Sequence, residues 1–348
     1  MDPVIPSPDV IPVHWLWFQV LLVVTFILHL ILMNLILGGS LLALWDKISG
    51  KKEPGYAVTL PVLVALTINL GVPPLLFVQV LYGHLFYTAS VTQAVPWILV
   101  IPALILGYYG SYIYVRKRDK SPQLATTGLV VSLLLILYTG FMLVNNSTLT
   151  LVPSRFEAHL NNPGGMNLNI GEPSLWPRYL HFITSAVAIA ALGVAIYAKF
   201  TLKDNPEQSS AVIRTNLRRF AWFTLVQFAF GTLFWLSTPR EVWMIFMGKN
   251  ITATILMTLS WLLAASMIYT AFRGKLGITI LHAFIVLVIM VIMREYMRSA
   301  YLKDIFSPSQ LESKGEFWPL IVFLVLFIAG LGAIYYMIRL ATKKISQS

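Results

Sequence analysis

The sequence predicts an all-α fold, a polytopic membrane helical bundle of about nine transmembrane helices. Of the 348 residues, 57% are hydrophobic and only 11% are charged, and the mean hydropathy is +0.76. Many apolar runs exceed the roughly 18 residues that a helix needs to cross about 30 Å of hydrocarbon. A soluble globular protein does not have this composition, and no stretch is left over for a soluble domain. We therefore expect a single membrane domain over residues 1–348.

The apolar runs place the spans in order along the chain. They cover residues 15–45, 57–87, 95–115, 124–145, 177–201, 219–236, 250–272, 277–299 and 317–340. The first span is expected to be retained, because the acidic, proline-rich amino terminus lacks the basic segment of a cleaved signal peptide. In the second span, Gly71, Pro73 and Pro74 predict a break or kink at mid-depth. The outer loop at about 146–175 is rich in turn formers and predicts an ordered cap or docking surface.

The charged loops predict how the bundle is oriented. The net charge is +11, but 17 of the 25 Lys and Arg residues fall on one face, in the loops after spans one, three, five and seven and in the tail. By the positive-inside rule that face is cytoplasmic, which places the amino terminus outside and the carboxy terminus in the cytoplasm. The basic charge is therefore interpreted as a topology signal in a lipid bilayer, and no nucleic-acid partner is expected.

The chain contains no cysteine. This excludes disulfides, iron–sulfur clusters and covalently attached c-type haem on this chain. Any redox cofactor that the protein carries must be held non-covalently.

Histidines inside apolar runs are the first candidates for chemistry, because an imidazole buried in hydrocarbon needs a hydrogen-bond partner or a metal. His29 lies near the middle of span one, and His181 lies about one turn inside span five. Both are candidate ligands, and the alternative for His29 is a hydrogen bond to a carbonyl on a neighbouring helix. His84, near the outer end of span two, is either a ligand or part of an interfacial aromatic belt. Glu295 is the one carboxylate predicted to lie within the membrane away from the cytoplasmic face.

Further side chains near the outer ends of the spans can complete such a site. Arg178, just ahead of His181, can pair with a haem propionate or with a lipid phosphate. Arg298, which follows Glu295, belongs either to a cofactor site or to a snorkelling helix end. The opening of span seven places Met244, Met247 and Met257 at helical spacings, where a thioether can act as an axial ligand. Methionine is also a common core filler, and that alternative stays open.

Four segments form a series along the chain: LHLILMNLILGGSLLA in span one, NLGVPPLLFVQVLYG in span two, WPRYLH in span five and REYMRSAYL in span eight. Together they resemble subunit I of the cytochrome bd quinol oxidases. The resemblance implies a bacterial cytoplasmic (inner) membrane protein in which His181 binds a low-spin haem b, with Met244 or Met247 opposite. It also implies that His29 and Glu295 ligate the iron of the remaining haem or haems, so that the chain holds one to three haems b.

The chain departs from that family in the residues that deliver quinol and protons. The loop between spans six and seven is reduced to about 237–250, and Ser-Ala-Tyr follows Arg298 where the family has Gln-Pro-Trp. Span three also lacks the carboxylates that the family uses near its proton path.

These observations predict a haem b-containing electron-transfer subunit of a respiratory oxidoreductase complex. It would pass electrons between the quinone or haem pool and a c-type cytochrome or another periplasmic redox protein, beside other membrane subunits. Two alternatives remain at this point. One is a divergent cytochrome bd-like terminal oxidase subunit, and the other is a small-solute transporter whose pathway follows the kinked second span.

Overall fold

The computed structural model describes residues 5–51 and 55–345 of the chain. Within these ranges, nine helices are long and apolar enough to cross a membrane, which confirms the predicted all-α polytopic bundle. We number them α1 (Trp15–Ile48), α2 (Leu60–Thr92), α3 (Val100–Lys117), α4 (Pro122–Leu151), α5 (Leu175–Thr201), α6 (Pro206–Leu236), α7 (Ile251–Phe272), α8 (Leu276–Tyr301) and α9 (Trp318–Ile345). The short helix Ala94–Ile98 leads into α3. The end of the bundle at which α1 begins is called the amino-terminal end, and the other is called the basic end.

The helix ends differ from the predicted spans where polar residues extend a helix beyond the apolar run. α6 begins at Pro206 rather than at 219, because the Asn205 side chain accepts a hydrogen bond from the backbone N–H of Gln208 at 3.1 Å. Proline at the first helical position adds to this start signal. α4 continues to Leu151, so the cap between α4 and α5 covers 152–174 rather than 146–175.

The bend in α2 lies elsewhere than the prolines suggested. The backbone stays helical at Pro73 and Pro74 and leaves helical geometry at Tyr82, with φ −132° and ψ 26°. The two prolines remove backbone donors from α2, but their φ near −65° is itself a helical value, so they do not end the helix. The irregular position is therefore close to the amino-terminal end of the bundle, not at mid-depth.

Five helices form a ring in which each packs on the next: α1, α5, α6, α7 and α8. α2, α3 and α4 lie outside this ring, with α2 packed along α1 and α3 packed along α4. The contact between α1 and α5 is very close, because a Cβ built on Gly38 would lie only 1.9 Å from the carbonyl oxygen of Ala186. α9 joins the bundle mainly through its first turns, where the ring of Phe323 meets that of Phe77 with centroids 4.9 Å apart.

Polar contacts tie the two ends of the bundle. At the basic end, Arg219 of α6 forms a two-pronged ion pair with Asp46 of α1, with one Nη1–Oδ2 distance of 3.2 Å. At the amino-terminal end, the backbone N–H of Ile11 donates to the carbonyl of Glu312 at 2.9 Å, and the N–H of Lys314 donates to the carbonyl of Ile11 at 2.9 Å. The amino-terminal segment is therefore held against the segment between α8 and α9.

The cap is an ordered structure that is fixed to the helices beneath it. The Asn145 side chain donates to Gln93 at 2.5 Å and accepts from the backbone N–H of Asn169 at 2.9 Å. Arg155 donates to the Asn169 side chain at 2.7 Å and forms an ion pair with Glu172 at 3.2 Å. The cap thus closes the amino-terminal end over α2, α4 and α5.

Candidate functional site: a cavity lined by two histidines

A cavity of about 320 Å³ lies inside the helix ring. Its lining comes from α1, α4, α5, α6, α7 and α8 together with Phe246, and most of it is aliphatic, aromatic or methionine. The volume falls within the range of roughly 300–1,000 Å³ that is typical of small-molecule and cofactor sites. The charged and imidazole side chains that line it are two histidines and three arginines: His29, His181, Arg178, Arg294 and Arg298.

His29 projects from α1 against α2. Its Nδ1 lies 3.1 Å from the backbone carbonyl oxygen of Thr67. Since a carbonyl can only accept a hydrogen bond, Nδ1 must carry the proton, and Nε2 keeps a free lone pair. His29 is thus held as a neutral imidazole in the tautomer that a metal ligand requires. The hydrogen bond that the sequence offered as the alternative to a ligand role is present, and it is compatible with that role.

His181 projects from α5 against α6 with the same geometry. Its Nδ1 lies 3.1 Å from the backbone carbonyl oxygen of Gln227. The same reasoning places the proton on Nδ1 and leaves Nε2 as the free ligand atom. The structure therefore brings the two leading candidate ligands to one cavity, each on its own pair of helices.

The two histidines lie at comparable depth in the bundle. α1 and α5 run in the same direction and touch where a Cβ on Gly38 would come within 2.8 Å of the Cβ of Ala190. His29 is nine residues before Gly38, and His181 is nine residues before Ala190, which is roughly 13.5 Å along each helix. Nine residues are two and a half turns, so each histidine faces away from the α1–α5 contact and towards its own neighbouring helix.

Arg178 carries a buried charge into the cavity wall. Its side chain is 8% exposed, and its guanidinium carbon lies 4.7 Å from the centroid of the Phe234 ring. Nε is buried and has no hydrogen-bond partner, and no carboxylate among the described residues forms an ion pair with this arginine. A buried guanidinium in this state is costly unless a negatively charged group joins it.

Arg294 and Arg298 of α8 share one carboxylate. Glu295 accepts from Arg294 at 3.2 Å and from Arg298 at 2.7 Å, and the Gln19 side chain donates to it at 3.0 Å. Each arginine also stacks on an aromatic ring, Arg294 on Phe26 at 4.4 Å and Arg298 on Tyr82 at 4.7 Å. Three arginines that line the cavity are thus accompanied by one carboxylate behind them, which leaves two positive charges in excess.

The other predicted site residues lie outside the cavity lining. Both oxygens of Glu295 are taken up by its ion pairs. The His84 ring packs edge-on against Phe306, with centroids 4.3 Å apart. Met244 begins the short helical segment Met244–Phe246, and Met247 is half-exposed after it, because α7 starts only at Ile251, where Asn250 caps it. The ligand roles of these four residues stay predictions that the positions described here do not favour.

Three further histidines in the sequence have local surroundings of their own. His14 accepts from the backbone N–H of Leu16 at 3.3 Å at the start of α1, and His282 on α8 lies 3.3 Å from the hydroxyl of Ser266. The side chain of His159 lies outside the described part of the structure.

Methionines make up much of the lining, and of these only Met257 was among the candidate ligands predicted from the sequence. Six of the chain's twelve line the cavity: Met33, Met257, Met267, Met290, Met293 and Met297. The three on α8 follow the i, i+3, i+7 spacing of one helix face, and this spacing could have predicted that they line one surface. Met257 is the α7 methionine nearest the amino-terminal end that reaches the cavity, and it is 8% exposed. The site therefore offers thioethers as well as imidazoles.

The cavity lining offers imidazoles, thioethers and guanidinium groups as polar or ligating side chains. No group of three or more His, Asp or Glu side chains within the described ranges is placed to hold a metal ion. A haem needs only one or two axial ligands from the protein, usually an imidazole or a thioether, because the macrocycle supplies the rest. The unpartnered Nε of Arg178 and the two excess positive charges also fit the acidic side groups of such a cofactor.

Comparison with known proteins finds no protein-family model, no curated protein and no solved structure that matches this chain. The resemblance to cytochrome bd subunit I therefore stays a prediction. What supports a function for this chain is the geometry of the cavity.

Proposed function

We propose that the chain is a haem b-binding subunit of a membrane electron-transfer complex. The observation that carries this proposal is the pairing of His29 and His181 in one apolar cavity, each with Nδ1 bonded to a backbone carbonyl and Nε2 free. Neutral imidazoles oriented in this way are typical axial ligands, and the hydrogen bond at Nδ1 raises their basicity. When bound, haem b supplies a reversible one-electron couple at its iron.

The charge of the cavity supports this choice of cofactor. Each haem b carries two carboxylates, so the two positive charges that remain once Glu295 is paired with Arg294 and Arg298 match the acidic groups of one haem. Arginine binds carboxylates through short, charge-assisted hydrogen bonds, and these gain strength in an apolar surrounding. Arg178 would hold one acidic group, and Arg294 and Arg298 would hold the other at the amino-terminal end of the bundle.

The remaining lining suits electron transfer. Aliphatic, aromatic and methionine side chains exclude water and lower the local dielectric, and both effects tune the potential of a cofactor. Met257 of α7 lines the same cavity as His181 and would be the thioether available as a second ligand for that haem. The protein's own contribution is to bind, orient and shield the cofactor.

The location of His181 favours a partner at the amino-terminal end. It lies six residues, or roughly 9 Å, inside α5, beneath the ordered cap. We propose that electrons exchange there with a c-type cytochrome or another periplasmic redox protein, and that the quinone or haem pool and companion membrane subunits complete the path. In this proposal the protein is one subunit of a respiratory oxidoreductase in the bacterial inner membrane.

The test is an optical one on the purified chain. Wild-type protein is expected to show the reduced-minus-oxidised spectrum of haem b and a positive pyridine haemochrome. His181→Ala should remove the low-spin signal, while His29→Ala should keep that signal and lower the total haem. His282→Ala is the matched control, since His282 lies on α8 outside the cavity and should leave the spectrum unchanged.

Each opposite result has a defined meaning. A wild-type protein without haem, expressed with sufficient haem supply, would contradict the proposal, and solute flux in haem-free liposomes would then favour a transporter. If His29→Ala rather than His181→Ala removes the low-spin signal, the ligand assignment is wrong. A reduced spectrum that shifts with carbon monoxide, together with cyanide-sensitive oxygen uptake, would favour a terminal oxidase.

A further inference from the structure

We propose that Gly71 and Gly231 are positioning residues, each of which opens a backbone carbonyl of its helix to the Nδ1–H of a ligand histidine. This inference rests on the proposed function and deepens it, because it names what fixes the two axial ligands. Gly231 lines the cavity and Gly71 does not, but neither glycine has a side chain that could ligate a metal. Each acts through the histidine that packs on it.

The close approach of the rings shows why these positions are glycine. A Cβ built on Gly71 would lie 2.8 Å from Cε1 and 2.9 Å from Nδ1 of His29. A Cβ built on Gly231 would lie 2.9 Å from Nδ1 and 3.0 Å from Cε1 of His181. Carbon atoms in contact normally stay about 3.5–4.0 Å apart, so any side chain at either position would push the imidazole off its helix.

The register of the two contacts is the same. His29 bonds to the carbonyl of Thr67 and packs on Gly71, and His181 bonds to the carbonyl of Gln227 and packs on Gly231. In both cases the glycine follows the carbonyl by four residues. In an α-helix the carbonyl of residue i accepts the N–H of residue i+4, and its second lone pair lies beside the side chain of that residue. Without a Cβ at i+4, a donor from another helix can reach it.

The contact is specific to these two glycines. Of the glycines in the described part of the chain, only Gly71 and Gly231 meet an imidazole ring. Gly140 also lines the cavity, but a Cβ there would lie 3.8 Å from the ring of Tyr179, which is ordinary contact. Cavity glycines in general are therefore not required by the histidines.

A displaced ring has consequences that can be measured. Losing the bond at Nδ1 releases the tautomer and the ring orientation and makes Nε2 less basic. Loss of such a supporting contact typically weakens metal binding by about 10–100-fold. A less basic imidazole also stabilises the ferric state less, so the midpoint potential of the affected haem should rise.

The experiment compares Gly231→Ala, Gly71→Ala and Gly107→Ala in the full-length protein. Haem per chain is measured by pyridine haemochrome, the low-spin fraction by electron paramagnetic resonance, and the midpoint potential by redox titration. Gly231→Ala should reduce the haem signal that His181→Ala removes and spare the other haem signal, and Gly71→Ala should do the reverse. Gly107 lies on α3 outside the cavity, and a Cβ there would lie 3.5 Å from the Cβ of Leu135. Gly107→Ala should therefore match wild type in all three measurements.

The outcomes separate this inference from the proposed function. A haem-free wild type would contradict the function itself. If wild type binds haem and Gly231→Ala and Gly71→Ala keep its haem content, low-spin fraction and potential, the function stands and the positioning role is overturned. Loss of both haem signals in each single variant would also overturn it, because the glycines would then serve general helix packing.

Discussion

The α1–α2 pair and the α5–α6 pair seat their histidines alike, but they differ one turn earlier on the histidine-bearing helix. Three residues before His181 stands Arg178, a cation on the same helix. Three residues before His29 stands Phe26, on whose ring Arg294 of α8 stacks at 4.4 Å. The α5–α6 pair thus has a positive charge on its own helix, whereas the positive charge near the α1–α2 pair comes from α8.

The difference continues in the neighbouring helices. α6 lines the cavity with seven residues, including Gln227 and Gly231, while α2 contributes no lining residue and acts only from behind His29. Arg294 is also tied to Glu295, which Arg298 and Gln19 share. The His181 site is therefore nearly complete within α5 and α6, and the His29 site depends on α8 being in place. Four substitutions test this contrast.

Gly38→Ala should have the largest effect, because it acts on the contact that both pairs share. The added Cβ would lie 1.9 Å from the Ala186 carbonyl oxygen, so α1 and α5 must separate. Overpacking usually costs about 1–3 kcal/mol, but an overlap this deep with a backbone oxygen should cost more than the roughly 3–5 kcal/mol of a broken buried ion pair. Both haem signals should fall together. Chemical unfolding in mixed micelles measures the loss. Gly39→Ala is the control, because its Cβ would have no neighbour nearer than 3.5 Å. Loss of only one haem signal in Gly38→Ala would contradict the view that both helix pairs depend on this contact.

Glu295→Gln should come next and should affect the His29 side more. The substitution leaves Arg294 and Arg298 without their shared carboxylate, and breaking a buried pair in this way costs about 3–5 kcal/mol within the local structure. We expect a lower unfolding midpoint and a weaker His29-dependent haem signal, with the low-spin signal retained. Gln19→Ala keeps the carboxylate and is the milder control. Loss of a complete haem without loss of stability would instead indicate that Glu295 is an axial ligand.

Arg178→Met should affect only the His181 side. It should stabilise the haem-free protein and weaken haem binding. It removes a buried charge that has no ion-pair partner, so the haem-free protein should gain stability. It also removes a charge-assisted hydrogen bond of about 1.5–3 kcal/mol, so haem should bind about 10–100-fold more weakly. Haem titration and thermal unfolding measure the two effects. Arg240→Met replaces an exposed arginine at the start of the segment Arg240–Trp243 and should change neither haem affinity nor stability. Tighter haem binding in Arg178→Met would contradict a role for Arg178 in holding a haem carboxylate.

Met257→Leu should have the smallest effect on stability, below about 1.5 kcal/mol, because the two side chains have similar volumes. Its effect should be spectroscopic, a change of the His181-dependent haem from low spin to high spin. The half-exposed Met247→Leu serves as the control and should leave the spectrum as it is. An unchanged spin state in Met257→Leu would point to Met293, which is equally buried in the cavity wall.

The fold class followed from the sequence, because long apolar runs and sparse charge leave few options besides a membrane bundle. His29 and His181 were also identifiable, since an isolated imidazole in hydrocarbon requires a partner. Their actual partners were not, because the carbonyls of Thr67 and Gln227 carry no side-chain signal and depend on which helices become neighbours. The position of Met244 and Met247 was not predictable, because the chain before Asn250 forms short helical segments and α7 begins only after it, whereas Met257 on α7 does line the cavity.

The pairing of Ile11 with the segment around Ser313 has a consequence for how the protein is made. A ribosome delivers the amino-terminal segment first and α8 near the end, so this tie and the Gln19–Glu295 bond can form only once almost the whole chain has entered the bilayer. Until then, α1 to α6 leave a groove that is open along the side where α8 will lie. The cavity wall is therefore completed late in synthesis, when α8 joins α1 to α7.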